Sequence, residues 1–177
     1  MEVWMGIRAE GQYEAGMFLI EGLKTAEEFI SLAWMLEDAT RVFYDKALGV
    51  LADEEAKKIF SSLVSAEEIH KEKLLNALKK LTGSTVHEVL SMKPVSGFME
   101  SGVEVESAVS WLRAEGRSLH EVLEFSMQLE INSLDLYYKI SRDLPDAAAG
   151  KTFEVLIAEE KEHLARLGNL LNVRYNV

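Results

Sequence analysis

Apolar residues recur at heptad spacing along several stretches of the chain, and each stretch is bracketed by helix start and stop signals. One stripe runs Ala56, Phe60, Leu63, Leu74, Leu81; another runs Ala149, Phe153, Leu156, Leu167, Leu170. "TAEE" at 25–28 has Thr at an N-cap and Glu three residues later, which opens a helix running to about Gly49. "DEEA" at 53–56 opens a second, to about Gly83, and "SLHE" at 118–121 opens a third, to about Arg142. Pro145 stands near the start of a fourth, which continues to about Asn172. The pattern predicts an all-α chain: a four-helix bundle in one domain over residues 1–177, with core helices near 26–49, 53–82, 118–142 and 146–172.

The connections are unequal. Residues 83–117 form a long crossover between the second and third helices, with a short helix expected near 85–91 and an amphipathic stretch around 104–115. Residues 1–24 are an extension whose glycines (Gly6, Gly11, Gly16, Gly22) argue against a stable helix, and they stay unassigned.

Two of the stripes are interrupted by polar residues in the same way. "VSAEEIHKEKL" at 64–74 places Glu67 and His70 in mid-stripe; "IAEEKEHLARL" at 157–167 places Glu160 and His163 there. The two pairs are 93 residues apart, and the same shift overlays Phe60 on Phe153, Leu63 on Leu156, Leu74 on Leu167, Leu36 on Leu129, Tyr44 on Tyr137 and Lys46 on Lys139. It also overlays Glu37 on Glu130. Glu37 shares a stripe with Ile30, Ala33 and Tyr44, and Glu130 with Leu123, Met127 and Tyr137. The chain thus reads as two duplicated helical hairpins that bring four carboxylates and two imidazoles to mid-height inside a bundle.

Chance placement on solvated helix faces is the ordinary reading of a Glu near a His. It does not explain the shared register, the two additional Glu or the apolar stripes around them. Ionised carboxylates in a dry core cost several kcal/mol each without compensation. Two divalent cations balance four carboxylates, and two neutral imidazoles complete a ligand set, so the expected metal residues are Glu37, Glu67, His70, Glu130, Glu160 and His163.

Composition narrows the rest. The chain has 177 residues, 48% hydrophobic and 28% charged, with a net charge of −11, which excludes a disordered chain and disfavours nucleic acid or an anionic membrane surface as partner. No apolar stretch is long enough to span a bilayer, and the acidic N-terminus does not read as a secretory signal, so a cytoplasmic location is expected. There are no cysteines, which rules out thiolate metal sites and cysteine nucleophiles in this chain. His87 and His120 lack a Glu three residues before them and receive no role. Trp34 and Trp111 read as core or interface anchors.

A Glu on each of two helices with Glu-x-x-His on the other two resembles the ferritin-like di-iron carboxylate proteins; it is the ligand pattern by which that superfamily is known. "MLEDATRVFYDKA" at 35–47 and "QLEINSLDLYYKI" at 128–140, with "AEEIH" and "AEEKEH", are similar to the rubrerythrin-type branch. Two departures stand out: the rubredoxin-like iron–tetracysteine module is absent, and Ser133 stands where such proteins usually carry a further Glu. The six-residue set is also similar to the ferroxidase centres of bacterioferritins. The resemblance implies a cytoplasmic non-haem oxidoreductase with two iron ions, Mn or Zn being alternative occupants. Glu67 and Glu160 would bridge, with Glu37 and His70 completing one ion and Glu130 and His163 the other. It further implies hydrogen peroxide or O₂ as substrate, electrons from a separate donor protein, and a homodimer. A ferroxidase or iron-storage protein, or a structural bundle with a vestigial or zinc-filled site, are the alternatives. Tyr44 and Tyr137 are either donors beside the site or core aromatics with a polar tip.

Overall fold

The structure is a computed structural model and describes residues 17–83, 97–114, 117–144 and 146–175. Five α-helices lie within them: α1 (Ala26–Leu48), α2 (Glu54–Thr82), α3 (Val105–Leu112), α4 (Leu119–Asp143) and α5 (Ala147–Tyr175). The four long helices form the bundle, and α3 belongs to the crossover and packs chiefly on α1.

The caps that the sequence advertises are made. Thr25 Oγ1 accepts from the Glu28 amide at 3.2 Å while the Glu28 carboxylate accepts from the Thr25 amide at 3.0 Å. Ser118 and Glu121 repeat this reciprocal arrangement at the start of α4. Asp53 caps α2 by accepting from Glu55 and Ala56 amides at 3.0 and 2.9 Å, and those amides lower its carboxyl pKa. Gly83 ends α2 with φ +68°, a left-handed cap that a side chain would strain.

The closest helix pairs are α1 with α2, α4 with α5, and α2 with α5, so each hairpin packs within itself and the two join along the helices that carry Glu-x-x-His. Apolar side chains gather in two clusters. One holds Ile30, Leu36, Leu74, Tyr137, Phe153 and Leu156; the other holds Phe43, Tyr44, Phe60, Leu63, Leu123 and Leu167. The 93-residue shift exchanges Phe60 with Phe153, Leu74 with Leu167 and Tyr44 with Tyr137 between the clusters. The duplicated hairpins are therefore related end for end, and the layer between the two apolar clusters is where the polar residues sit.

Some expectations shift. Leu81 is exposed, and Leu78 takes the next buried place after Leu74, because a straight helix of 3.6 residues per turn drifts out of a strict seven-residue stripe. Met127 is only partly buried; the inward positions of that turn are Ser126 and Glu130. Buried Ser126 and Ser133 donate back to the Val122 and Leu129 carbonyls at 2.9 and 3.2 Å, which satisfies their hydroxyls. Met17–Ile20, in the unassigned extension, form a 3₁₀ turn that buries Leu19 and Ile20 against the first cluster. The amphipathic stretch expected around 104–115 is α3, whereas the helix expected near 85–91 lies outside the described residues, as do residues 1–16. Trp34 and Trp111 sit half-buried at the edges of the two clusters, with Lys71 over the first ring and Arg117 over the second.

Phe60 is fully buried and meets Tyr44 edge-on at 5.6 Å. Phe60→Ala should cost about 3–5 kcal/mol in urea unfolding with an unchanged m-value; a loss below about 1 kcal/mol would mean that the two-cluster core is misdescribed.

Candidate metal centre

All six residues singled out by the repeat come together between the two apolar clusters, each 1–3% exposed. They form two overlapping groups, Glu37–Glu67–His70–Glu160 and Glu67–Glu130–Glu160–His163, in each of which the donor atoms lie within 4.8 Å of one another. Glu67 and Glu160 belong to both groups. The two imidazoles stack at 5.3 Å with 21° between their planes.

Three carboxylate oxygens surround Nδ1 of each histidine. His70 Nδ1 has Glu67 Oε2 at 3.1 Å, Glu160 Oε1 at 3.2 Å and Glu37 Oε2 at 3.3 Å. His163 Nδ1 has Glu130 Oε2 at 3.1 Å, Glu160 Oε2 at 3.2 Å and Glu67 Oε1 at 3.9 Å. One ring nitrogen carries at most one proton and cannot satisfy three acceptors. Glu67 Oε2 and Glu160 Oε2 accordingly have no hydrogen bond although both are buried. Donor atoms about 2.1 Å from a cation, at right angles to each other, stand about 3.0 Å apart, close to most of these separations. Oxygen and imidazole donors suit Fe, Mn and Zn alike.

The neighbouring side chains aim the ligand atoms. The Tyr137 hydroxyl donates to Glu37 Oε1 and the Tyr44 hydroxyl to Glu130 Oε1. In each carboxylate this leaves Oε2 to face the centre, and each tyrosine reaches across from the opposite hairpin. The sequence left their role open; they are donors to the site as well as core aromatics. His70 Nε2 lies 3.3 Å from Glu159 Oε2, and Glu159 is bound in turn by Lys73. A carboxylate behind a ligating imidazole fixes the ring and makes it more basic. The repeat breaks here, because Ala66 and Arg166 stand where Glu159 and Lys73 have their counterparts, and Arg166 turns instead to Ser62 Oγ at 2.8 Å.

Without a cation the six groups share protons. Burial raises the Glu67 and Glu160 carboxyls well above the usual range, and the adjoining charges of Glu37 and Glu130 add to it. Burial also acts on Glu37, but the charge of His70 and hydrogen bonds from Glu67, His70 and Tyr137 outweigh it and bring the carboxyl down to about 2. Glu130 is lowered in the same way through Glu160, His163 and Tyr44. Burial lowers both imidazoles, yet the carboxylates around them dominate and hold both pKa values up. Two divalent cations would balance four carboxylates, and their uptake would displace the protons that the metal-free groups share.

A family model for rubrerythrin matches residues 28–171. The chain belongs to the rubrerythrin family. Among solved structures it is similar to a ferritin-like diiron-carboxylate protein from Thermotoga maritima, at 27% identity and a TM-score of 0.64, over 87% of this chain and 97% of that one. No curated protein matches.

The remaining histidines lie elsewhere. His120 is on the first turn of α4, 3.0 Å from Glu124, with its ring tilted 57° against that of Tyr175, and His87 is outside the described residues. No described helix is long and apolar enough to cross a membrane. Three participants were not expected from sequence: Glu159, visible only as a doublet with Glu160; Thr40, the repeat counterpart of Ser133; and Glu100, a buried carboxyl from the crossover.

Calorimetry in buffers of different ionisation enthalpy should find protons released as divalent cations bind near neutral pH, with apparent affinity falling as pH is lowered. Buffer-independent heats would contradict this. In the metal-free protein the raised groups keep protons that the unfolded chain gives up, so stability falls as pH rises beyond 4.5 for the carboxyls and 6.5 for the imidazoles. Tyr137→Phe releases Glu37 Oε1 and should weaken metal binding about 10- to 100-fold.

Proposed function

We propose that the chain is a non-haem di-iron oxidoreductase that reduces hydrogen peroxide or O₂. The observation that carries this reading is the pair of four-residue groups sharing two carboxylates, with unpartnered carboxylate oxygens facing inward. Glu67 and Glu160 would span both ions; Glu37 with His70, and Glu130 with His163, would complete one each. Bound there, a pair of ferrous ions supplies two electrons to an oxygen substrate.

The protein's own groups then have defined tasks. Tyr44 and Tyr137 keep one oxygen of Glu130 and Glu37 occupied, which restricts those carboxylates to a single inward donor. Glu159 and Lys73 hold His70 from behind. Glu67 and Glu160 each keep one buried oxygen, Oε2, free of hydrogen bonds, which would leave it available to a cation. The two apolar clusters exclude bulk water on both sides of the layer. Because this chain has no cysteine, electrons would arrive from a separate protein.

Glu67→Ala or Glu160→Ala should abolish metal-dependent peroxide turnover while circular dichroism shows helix content largely kept. Unchanged turnover in both variants would overturn the reading. An iron-storage role would instead require a hollow particle of some hundreds of kilodaltons by size exclusion, whereas a dimer fits the oxidoreductase.

A further inference from the structure

The crossover drives an acid into the bundle. Gly97 and Gly102 have φ of +98° and +72°, a backbone region that glycine enters without strain. Between them Met99 N donates to the Val103 carbonyl at 2.9 Å, Gly102 N to that of Met99 at 2.8 Å, and Phe98 bridges antiparallel to Glu104. This tight reversal buries Met99, Glu100 and Ser101. Met99 joins the second apolar cluster. Glu100, 1% exposed, faces α1, where the Thr40 hydroxyl, one turn beyond Glu37, donates to its Oε2.

Packing does not require an acid at this place. Gln or Met would fill a similar volume without placing a fifth carboxyl beside four others. Glu100 Oε1 is buried and has no hydrogen-bond partner. The charges acting on it most are Glu37 on α1 and Glu130 on α4, both negative, and Tyr137 on α4 senses Glu100 in return. In the metal-free protein burial first, and the charge of Glu37 second, push its carboxyl up to about 8; the burial and the unpartnered Oε1 that favour a neutral acid are features of the loop itself. It stands outside the two groups of converging donor atoms, which separates it from the ligands themselves.

We propose that Glu100 is the internal proton donor of the centre: a neutral carboxyl, steadied at Oε2 by Thr40, that passes its proton to an oxygen of the substrate reduced beside Glu37 and Glu130. This rests on the di-iron reading above. Reduction of hydrogen peroxide to two waters breaks the O–O bond and takes two electrons, one from each ferrous ion as it becomes ferric, and two protons. Glu100 gives one proton to a departing oxygen; solvent gives the other and afterwards reprotonates the carboxylate. The six ligands cannot serve, because binding the cations requires their donor atoms deprotonated, and both tyrosine hydroxyls are committed to Glu37 and Glu130. Thr40 acts as a positioning residue.

Infrared spectra of the anaerobic, iron-loaded protein test this directly, since loading removes the protons from Glu67 and Glu160. A carbonyl stretch of a protonated carboxylic acid should be present at pH 7 and be missing from Glu100→Gln, which should still bind two irons. Single-turnover oxidation by peroxide should slow about 100-fold or more in Glu100→Gln, and Glu100→Asp should keep the band and recover part of the rate. Absence of the band from the parent, a parent-like rate in Glu100→Gln, or an Asp variant that keeps the band yet is as slow as Gln would overturn the proposal alone. A parent that takes up no iron would overturn the di-iron reading and the proposal with it.

Discussion

Four carboxylates facing one another in a layer closed to water constrain everything else in this bundle. Each negative charge placed there costs several kcal/mol unless an opposite charge stands against it, and the chain offers only two ways to neutrality: protons or cations. The protonated arrangement leaves Glu67 Oε2 and Glu160 Oε2 without hydrogen bonds and places three acceptors around one histidine nitrogen. Two divalent cations would take these atoms as donors and preserve neutrality. The apolar clusters above and below the layer are what make an uncompensated charge in it costly.

The end-for-end relation of the two hairpins places equivalent ligands on both sides of the centre, but the surroundings are not equivalent. Among the described residues, only His70 is backed by a carboxylate, Glu159, and only the Glu37 side has the crossover acid against Thr40. At the positions equivalent to Glu159 and Thr40 the chain has Ala66 and Ser133, and Ser133 binds its own helix. Duplication built a symmetric ligand set, and single substitutions in its surroundings make its two halves chemically distinct. The tyrosines do the opposite: each crosses to the other hairpin, so the ligand geometry of one half depends on the packing of the other.

Local capping signals were enough to pick out the caps of the first three long helices, and the repeat the four helices and the six convergent residues, because helical periodicity and a fixed 93-residue offset specify which faces meet. Pro145, expected near the start of the fourth, lies outside the described residues. Periodicity does not specify partners. It placed Tyr44 and Tyr137 on inward stripes but could not say that each donates to the opposite hairpin's carboxylate. A strict heptad chose Leu81 where the straighter helix buries Leu78. Glu100 was illegible for a different reason: it lies in a glycine-bounded turn whose direction depends on long-range contacts with α1, and no local pattern announces that a loop glutamate is buried. Glu159 looked like any exposed helix acid, since its link to His70 runs between helices.

Elemental analysis of protein purified without oxygen tests the claim of a two-cation centre most directly, with Glu160→Ala prepared in parallel. About two irons per chain in the parent, largely lost in the variant, is the expected result. A parent that holds no metal after anaerobic iron loading, or a variant that retains both ions, would contradict it.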